Sequence, residues 1–579
     1  TFSSYQVNGV PSNITAVSYI YCQYPHTTNL GNASSFIMYV PANKSGSKTY
    51  FSLSNINNTG SSDTVRIYDL TSNRRYVVTQ RSAAYKILLG YTGKNMQCYI
   101  TPESNINKVT NLIPAGNNGI FTSYSVSASS PAYIIIAHPS LMSEASAYSA
   151  YRSLKYPNQV LASVDELYDQ FCYGVDKDPL AIRNFCTYIM SKSSAKYPPA
   201  ALFLIGKGIH SNLFRKDPSL YSATLIPSFG CPSSDALLTA GLNTANTSQP
   251  LQPAIPTGRL AAIDNTQVSN YLNKVKTYES NAPALWMKNI AHFAGGGSSQ
   301  EQAQLLGFLQ GDAAIAEDTS FGAYVYTFQK TTTSPIQVTL SDSVTSIINN
   351  GVSLMTFFGH ASGNNFDINL DAPSNYNNIG KYPLILALAC FSGDIFQPAG
   401  AGVTSVSEQF VLDPKGSIGF MAMDDVAESG NLSNYASMFY TDFSSTMYRQ
   451  PIGNCMQNVA GSIAGSGISN TNDFMCLEMT LHGDPTIILN ANDSLPDYAV
   501  NDTSVSFIPT NVTAQLDSFK VKVVVYNLAK AMNQTVDVEL DRLLPGNDST
   551  RVYHKSIKNI YNNGSAIFTL PVDKVNGIG

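Results

Sequence analysis

A chain of 579 residues is too long for a single hydrophobic core, so roughly three or four domains are expected. Hydrophobic residues make up 44% of the chain but charged residues only 13%, well below the usual share of about 25%. Asn, Ser, Thr and Tyr fill the other polar positions, which is typical of secreted or cell-surface proteins. The net charge is -5 and no basic stripe is present, which argues against a nucleic-acid partner.

No stretch approaches the ~20 consecutive apolar residues of a membrane span, so no transmembrane segment is expected. The eight cysteines include no Cys-x-x-Cys pair, which argues against a zinc site. Cys172 with Cys186, and Cys455 with Cys476, could form disulfides, and the sequence leaves their pairing open.

The first 130 residues contain short segments that alternate between apolar and polar residues. Residues 49–53 and 64–68 alternate at period two, and turn-forming Asn-Asn-Thr-Gly and Gly-Asn-Asn-Gly sequences occur among such segments. This pattern predicts an N-terminal β domain over residues 1–130.

From Pro131 onwards, apolar runs alternate with helix-like segments. Such alternation predicts a mostly parallel sheet with helices on both faces. The predicted domain covers residues 131–492, with two subdomains at about 131–285 and 286–492.

Period-two alternation returns near the end of the chain, at residues 519–525 and 566–570. This pattern favours an immunoglobulin-like β-sandwich over residues 493–579, and the sequence leaves open whether that domain is complete. The start at Thr1 is typical of a processed or trimmed chain, and whether the chain continues beyond Gly579 is also left open.

His360 and Cys390 each end an apolar run that reads as a buried parallel strand. Ligands of open α/β sheets bind beyond the carboxyl ends of the strands, so an imidazole and a thiol are expected to meet there. That pair can act as base and nucleophile, with the backbone amides of Cys390 and Ala361 as candidate donors to an oxyanion. A lone Cys or His in this position is more often structural; two together make the catalytic interpretation about equally favoured.

Residues 357–363 and 387–394, which contain these two side chains, resemble the gingipain-type cysteine peptidases. That family has a caspase-like α/β fold and a His-Cys dyad. Five further segments resemble the branch that contains the type IX secretion-system sortase: residues 165–174, 178–185, 255–260, 274–279 and 482–485. The resemblance covers about residues 131–490 and implies a caspase-like domain between the N-terminal β domain and the immunoglobulin-like sandwich.

By this resemblance Cys390 is the nucleophile, and His360 is the base and then the acid that protonates the leaving amine. Ala361 replaces the family's usual glycine and places a methyl group beside the oxyanion site. The family often has an acid just after the strand that corresponds to residues 290–294, but glycines follow that strand here. Glu301 is nearby but displaced, so a backbone carbonyl or water is expected to hold His360 instead.

Other polar residues are interpreted without a catalytic role. His138, His482 and Asp235 are expected to be structural, and His210 is a loop residue that could lie near the cleft. Asp424, Asp425 and Glu428 follow the strand after Cys390 and are interpreted as a solvated acidic loop. No cofactor is expected to be required; the resemblance allows structural calcium, but no loop can be assigned to it and the metal ligands are unknown.

The resemblance implies a secreted or cell-surface cysteine endopeptidase, or a sortase-type transpeptidase, that cleaves C-terminal sorting signals of type IX secretion cargo. It further implies association with a bacterial outer membrane, a protein or peptide substrate, and an outer-membrane β-barrel as a partner. One alternative is a non-catalytic, peptidase-like scaffold subunit of an outer-membrane secretion or surface complex. Another is a broad-specificity surface protease.

Overall fold

The computed structural model describes most of the chain. The described residues are 22–43, 45–58, 64–80, 82–90, 93–111, 114, 119–242, 252–337, 341–361, 365–398, 404–465, 470–490, 492, 494–543 and 550–572. Thr1, Gly579 and the predicted domain boundary at residue 493 lie outside these ranges, as do Ser362 and Gly363 of the histidine segment. The chain forms two compact units, Thr1–Ile113 and Pro114–Gly579, while the boundaries at residues 130 and 492 stay predictions.

The described part of the first unit is built mainly from β-strands. These are β1 (Asn29–Ala33), β2 (Phe36–Val40), β3 (Thr49–Ile56), β4 (Thr64–Asp69), β5 (Arg74–Thr79), β6 (Tyr85–Leu89) and β7 (Met96–Pro102). They form two sheets, in the orders β1-β3-β6 and β2-β7-β4-β5. Every second residue of β4 is buried, including Val65 and Ile67, so the alternation in the sequence corresponds to one core-facing side of that strand.

A ten-stranded sheet dominates the second unit. Its strands are β8 (Ala132–Ala137), β9 (Asn158–Ser163), β10 (Ala201–Ile205), β11 (Thr257–Leu260), β12 (Asn289–Ala294), β13 (Tyr324–Gln329), β14 (Leu354–Phe358), β15 (Leu384–Leu388), β16 (Gly419–Met423) and β17 (Met479–His482). Their order is β13-β12-β14-β15-β16-β17-β11-β10-β8-β9, and only the β16–β17 pair is antiparallel. The sheet is therefore mixed but mostly parallel.

Helices connect these strands and cover both faces of the sheet. They are α1 (Met142–Arg152), α2 (Val164–Phe171), α3 (Leu180–Lys192), α4 (Ser211–Lys216), α5 (Asn265–Glu279), α6 (Ser299–Glu317), α7 (Ser341–Asn350), α8 (Val406–Leu412), α9 (Ser429–Thr441), α10 (Ile452–Gly465) and α11 (Asn470–Glu478). In β8, Tyr133 and Ile135 belong to one hydrophobic core, whereas Ile134 and Ile136 belong to another. Both faces are thus buried, which explains why these strands read as continuous apolar runs.

Six antiparallel strands follow the large sheet: β18 (Tyr498–Ala499), β19 (Val505–Ile508), β20 (Ser518–Asn527), β21 (Thr535–Leu543), β22 (Thr550–Lys558) and β23 (Asn563–Pro571). β18, β19, β20 and β23 form one sheet, and β21 pairs with β22. Buried Lys288, just before β12, donates to the carbonyls of Ala529 at 2.9 Å and Tyr561 at 2.6 Å and ties this part to the large sheet. The immunoglobulin-like assignment stays a prediction.

None of the eight cysteines, all of which lie within the described ranges, forms a disulfide, so neither of the two candidate pairs is bridged in this structure. Cys186 and Cys455 are fully buried and act as small apolar core residues. Within the described ranges, the helices are all too short or too polar to cross a membrane.

Candidate active site

The sheet register brings the His360 and Cys390 loops together. β14 and β15 are parallel neighbours, with Phe358 opposite Leu388. His360 and Cys390 each follow their strand by two residues, so both chains leave the carboxyl edge of the sheet at the same level. Adjacent strands lie about 4.8 Å apart, which places the two residues on neighbouring loops, as the sequence predicts.

Cys390 sits in a tight turn beside the loop that follows β16. The next residue, Phe391, has a positive φ of 56°, a left-handed conformation that a bulky residue rarely adopts. The Ala427 amide donates to the Cys390 sulfur at 3.4 Å, and the thiol lies 3.8 Å from the Ala427 carbonyl. Between the described side chains of Cys390 and His360 themselves, no hydrogen bond is formed.

His360 is paired with Glu301, contrary to expectation. The His360 Nε2 atom lies 3.0 Å from Glu301 Oε1, and the His360 side chain is 61% exposed. The Gly297 amide donates to the other carboxylate oxygen of Glu301 at 2.7 Å. Burial would raise the pKa of Glu301, but the bonds from Gly297 and His360 outweigh it, so its pKa lies below the ordinary 4.5. The carboxylate is therefore charged at neutral pH and pairs with the ring through Nε2.

The expectation that a backbone carbonyl or water would hold His360 is therefore wrong. By sequence Glu301 is displaced, because it follows β12 by several residues, but α6 begins at Ser299 and its first turn brings the carboxylate back. The Ser298 hydroxyl caps this helix by accepting from the Glu301 amide at 3.2 Å. A Ser-x-x-Glu sequence is a helix-start signal that could have placed Glu301 at the sheet edge.

Replacing Glu301 with glutamine is expected to lower kcat for peptide hydrolysis ~10²-fold, with KM little changed, because an imidazole held in the wrong orientation transfers protons poorly. The measurement is steady-state hydrolysis of a peptide substrate by both proteins. Glu317→Gln, at the far end of the same helix, is the matched control. Equal kcat values for wild type and Glu301→Gln would show that the pair has no part in the reaction.

Ala361, one of the two proposed oxyanion donors, lies in an isolated β-bridge. Ala361 faces Phe366 in an isolated antiparallel pair, in which the Asp367 amide donates to the His360 carbonyl at 3.0 Å. This bonding pattern does not use the Ala361 N–H. The roles of the Ala361 and Cys390 amides stay predictions.

In the acidic segment after β16, Glu428 is exposed as the sequence suggested, but Asp424 is not solvated. Asp424 is only 1% exposed, and neither of its carboxylate oxygens has a hydrogen-bond partner in the structure. Burial, together with repulsion from Glu478 and Asp394, raises the pKa of Asp424 to about 9, so it is protonated at neutral pH. Asp425 uses its carbonyl to accept from the Phe391 amide at 3.1 Å, which fixes this segment against the Cys390 turn.

A cavity of about 310 Å³ opens next to the sulfur. It is lined by Val426, Ala427, Glu428, Asn431, Phe474, Met475 and Glu478. Ala427, whose amide contacts the Cys390 sulfur, forms part of the wall, so the cavity adjoins the nucleophile. Burial and the nearby Asp425 charge raise the pKa of Glu478 to about 7. A side chain of a bound peptide could enter here.

The remaining residues singled out from the sequence take other positions. His210 Nε2 lies 2.9 Å from Asp394 in the loop after Cys390, so it contacts the nucleophile loop but not the sulfur. Asp235 forms a buried pair with Arg259. His138 bonds to Ser140 at its own helix start, and the buried His482 ring bonds to Ser407.

Within the described ranges, no group of three or more His, Cys, Asp or Glu side chains is arranged to hold a metal ion. Structural calcium therefore remains an untested expectation from the family resemblance.

The fold and this edge of the sheet define a class: an α/β protein in which a cysteine and a histidine–glutamate pair follow neighbouring parallel strands. The sequence model of peptidase family C25 matches residues 127–490, more than half of the chain. The chain belongs to peptidase family C25, the gingipain family, and has a cysteine-peptidase-type function that fits protein substrates. The family resemblance drawn from the sequence is confirmed.

Solved structures are similar to the chain only at low identity. The crystal structure of the Arg specific cysteine proteinase gingipain R (RGPB) has a TM-score of 0.48 and 13% identity, and the match covers 78% of this chain and 100% of that chain. The complex of Porphyromonas gingivalis RgpB pro- and mature domains has a TM-score of 0.49, 14% identity, and coverage of 76% and 100%. Dimeric latent PorU from Porphyromonas gingivalis has a TM-score of 0.39, 14% identity, and coverage of 91% and 47%. No curated protein sequence matches the chain.

Proposed function

We propose that this chain is a secreted or cell-surface cysteine endopeptidase that uses Cys390 as nucleophile and His360 as general base and acid. The observation that carries the proposal is the common exit level of β14 and β15, which presents both side chains at one edge of the sheet. Glu301 supports it by holding the His360 ring at Nε2.

The reaction follows from these positions. His360 takes the thiol proton, and the Cys390 sulfur attacks the peptide carbonyl carbon to form a tetrahedral oxyanion. Backbone N–H groups of Cys390 and Ala361 are the candidate donors to that oxyanion. The C–N bond then breaks as the imidazolium protonates the leaving amine, which leaves a thioester on Cys390. Water, deprotonated by His360, attacks the thioester, releases the acid and restores the thiol.

The same thioester can react with an amine instead of water, which would make the chain a sortase-type transpeptidase. Segments similar to the type IX secretion-system sortase support this finer proposal, in which the substrate carries a C-terminal sorting signal and an outer-membrane β-barrel is a partner. The rival assignments are a broad-specificity surface protease and a non-catalytic scaffold. The Glu301–His360 pair weighs against the scaffold, because a docking subunit has no need of an oriented imidazole.

Thiol labelling and peptide cleavage together test the proposal. Iodoacetamide at neutral pH is expected to alkylate Cys390 much faster than the exposed Cys22 and Cys231, as measured by peptide mass spectrometry. His360→Ala should slow the labelling of Cys390 alone. Uniform labelling and no cleavage of any peptide in a library would favour the scaffold. Capture of the acyl group by an added amine would favour the transpeptidase. Cleavage of generic peptides would favour the broad-specificity protease.

The cavity beside Cys390 predicts how substrate preference depends on pH. Glu478 is neutral below a pH of about 7 and charged above it, so the cavity becomes more negative as the pH rises. For a peptide with Lys or Arg before the cut, KM should therefore fall roughly threefold to tenfold between pH 6 and pH 8. A peptide with an apolar residue there is the control and should show no such fall. Glu478→Gln should abolish the difference between the two peptides; its persistence would exclude this cavity as the binding site.

A further inference from the structure

Asp367 is a buried carboxylate between the loop that carries His360 and the glycine-containing loop that joins β12 to α6. Its side chain is 5% exposed, and its amide donates to the His360 carbonyl at 3.0 Å. Its Oδ2 atom accepts from the Gly296 amide at 2.8 Å. A single residue therefore bonds both to the loop after β14 and to the loop after β12.

Two glycines make room for this carboxylate. A Cβ on Gly295 would lie 2.3 Å from Asp367 Oδ1, and a Cβ on Gly359 would lie 2.7 Å from the same atom. Real Cβ atoms do not approach oxygen so closely, so both positions accept only glycine while Asp367 stays in place. The sequence suggested that an acid was missing after β12. The glycines at this place instead leave room for the carboxylate of Asp367, which comes from the loop after β14.

Lys330 supplies the opposite charge. It directly follows β13, its side chain is 1% exposed, and its Nζ atom lies 3.2 Å from Asp367 Oδ2. The Lys330 amide also donates to the carbonyl of Ala294, the last residue of β12, at 2.8 Å. A buried carboxylate with this countercharge is held firmly, because moving either group would leave an unpaired buried charge.

The loop of Gly295, Gly296 and Gly297 connects Asp367 to the His360–Glu301 pair. Gly296 is held by Asp367, and the next amide, that of Gly297, donates to Glu301 at 2.7 Å. Gln302 closes the loop from the other side by donating to the Gly296 carbonyl at 3.0 Å. On the basis of the proposed function, we propose that Asp367, neutralised by Lys330, is a positioning residue that sets the distance between His360 and Glu301.

Asp367→Asn in the full chain tests this role, since asparagine keeps the shape but removes the charge. We expect kcat for peptide hydrolysis to fall ~10²-fold with KM unchanged, because a displacement of about 1 Å at the reacting groups costs this much. We also expect diethyl pyrocarbonate to modify His360 faster, as in Glu301→Gln, because Nε2 loses its partner. Asp484→Asn is the matched control: Asp484 is equally buried and paired with an arginine, but it follows β17, which runs towards the opposite edge of the sheet.

Both variants are compared at a temperature where circular dichroism shows them folded. Equal kcat per folded molecule for Asp367→Asn and Asp484→Asn, with His360 modified at the wild-type rate, would overturn the proposal. If Asp367→Asn does not fold, Gly295→Ala displaces the same carboxylate without changing any charge and should give the same two effects. Wild-type behaviour of that variant would also overturn the proposal.

If the wild type cleaves no peptide, the proposed function fails, and the His360 modification rate alone then decides. Faster modification supports the positioning role, and an unchanged rate refutes it.

Discussion

Cys390→Ser is expected to reduce kcat for peptide hydrolysis by at least ~10⁴-fold while the protein stays folded. Serine differs by one atom, but its hydroxyl is hardly ionised at neutral pH, whereas a thiol beside an imidazole readily supplies the attacking anion. The sulfur is only partly buried, and a serine hydroxyl can keep its hydrogen bonds to Ala427, so little stability should be lost. The measurement is hydrolysis of the best peptide from the library, with folding followed by circular dichroism.

The exposed Cys231 offers a matched control for this experiment. Cys231→Ser should retain full activity, because that exposed side chain lies in a turn between α4 and β11 and not in the loops that carry His360 and Cys390. Substantial hydrolysis by Cys390→Ser would mean that another group is the nucleophile and that the proposed mechanism is wrong.

Asp484→Ala is expected to lower the free energy of unfolding by about 3–5 kcal/mol, since it removes the fully buried partner of Arg152 and leaves that buried guanidinium with only the partly exposed Glu279. Asp484 is fully buried, and one of its oxygens accepts from Arg152 Nε at 2.7 Å, from the Tyr148 hydroxyl at 2.6 Å and from the Tyr133 hydroxyl at 2.8 Å. These partners lie on β8 and α1, so the residue joins the end of β17 to a distant part of the same sheet. Urea unfolding followed by circular dichroism measures the loss.

The same carboxylate should make stability fall in acid. Burial would raise the pKa of Asp484, but Arg152 and the hydroxyl donors outweigh it and lower the pKa below the ordinary 3.8. A group with a lowered folded pKa stabilises the protein above its unfolded pKa, and this contribution is lost as the pH falls from there through the folded value. Asp484→Ala should therefore lose less stability between pH 5 and pH 3 than wild type does. The exposed Asp502→Asn is the control and should follow wild type; identical acid sensitivity of all three proteins would contradict the assignment.

The strands at the centre of the fold could be predicted because their signal is local. Runs such as 384–388 are apolar at every position because both faces of the sheet are covered, and the structure has β15 there. The order of the strands was not predictable: β12 lies beside β14 because β13 passes to the outer edge, which depends on packing and not on neighbouring residues in the chain.

The site was predicted in part. The positions of His360 and Cys390 at strand ends follow from the sequence, and their catalytic roles stay predictions until the thiol is tested. The sequence suggests a displaced Glu301 and a solvated Asp424, whereas in the structure Glu301 pairs with His360 and Asp424 is buried. Both errors have one cause, since the direction of a side chain after a strand depends on the turn that follows and on what packs over it.

The amino-acid sequence by itself determined the family, the apolar strands and the two residues that end β14 and β15, because each of these depends on short stretches of chain. Only the tertiary structure decided which charged residues lie near the edge of the sheet where β14 and β15 end. Glu301, Asp367 and Lys330 come from three separate segments, and they meet because the sheet sets those segments side by side and the glycines after β12 and β14 leave space for a buried carboxylate. Contacts of this kind depend on the distance in space between groups and leave no pattern in the order of residues.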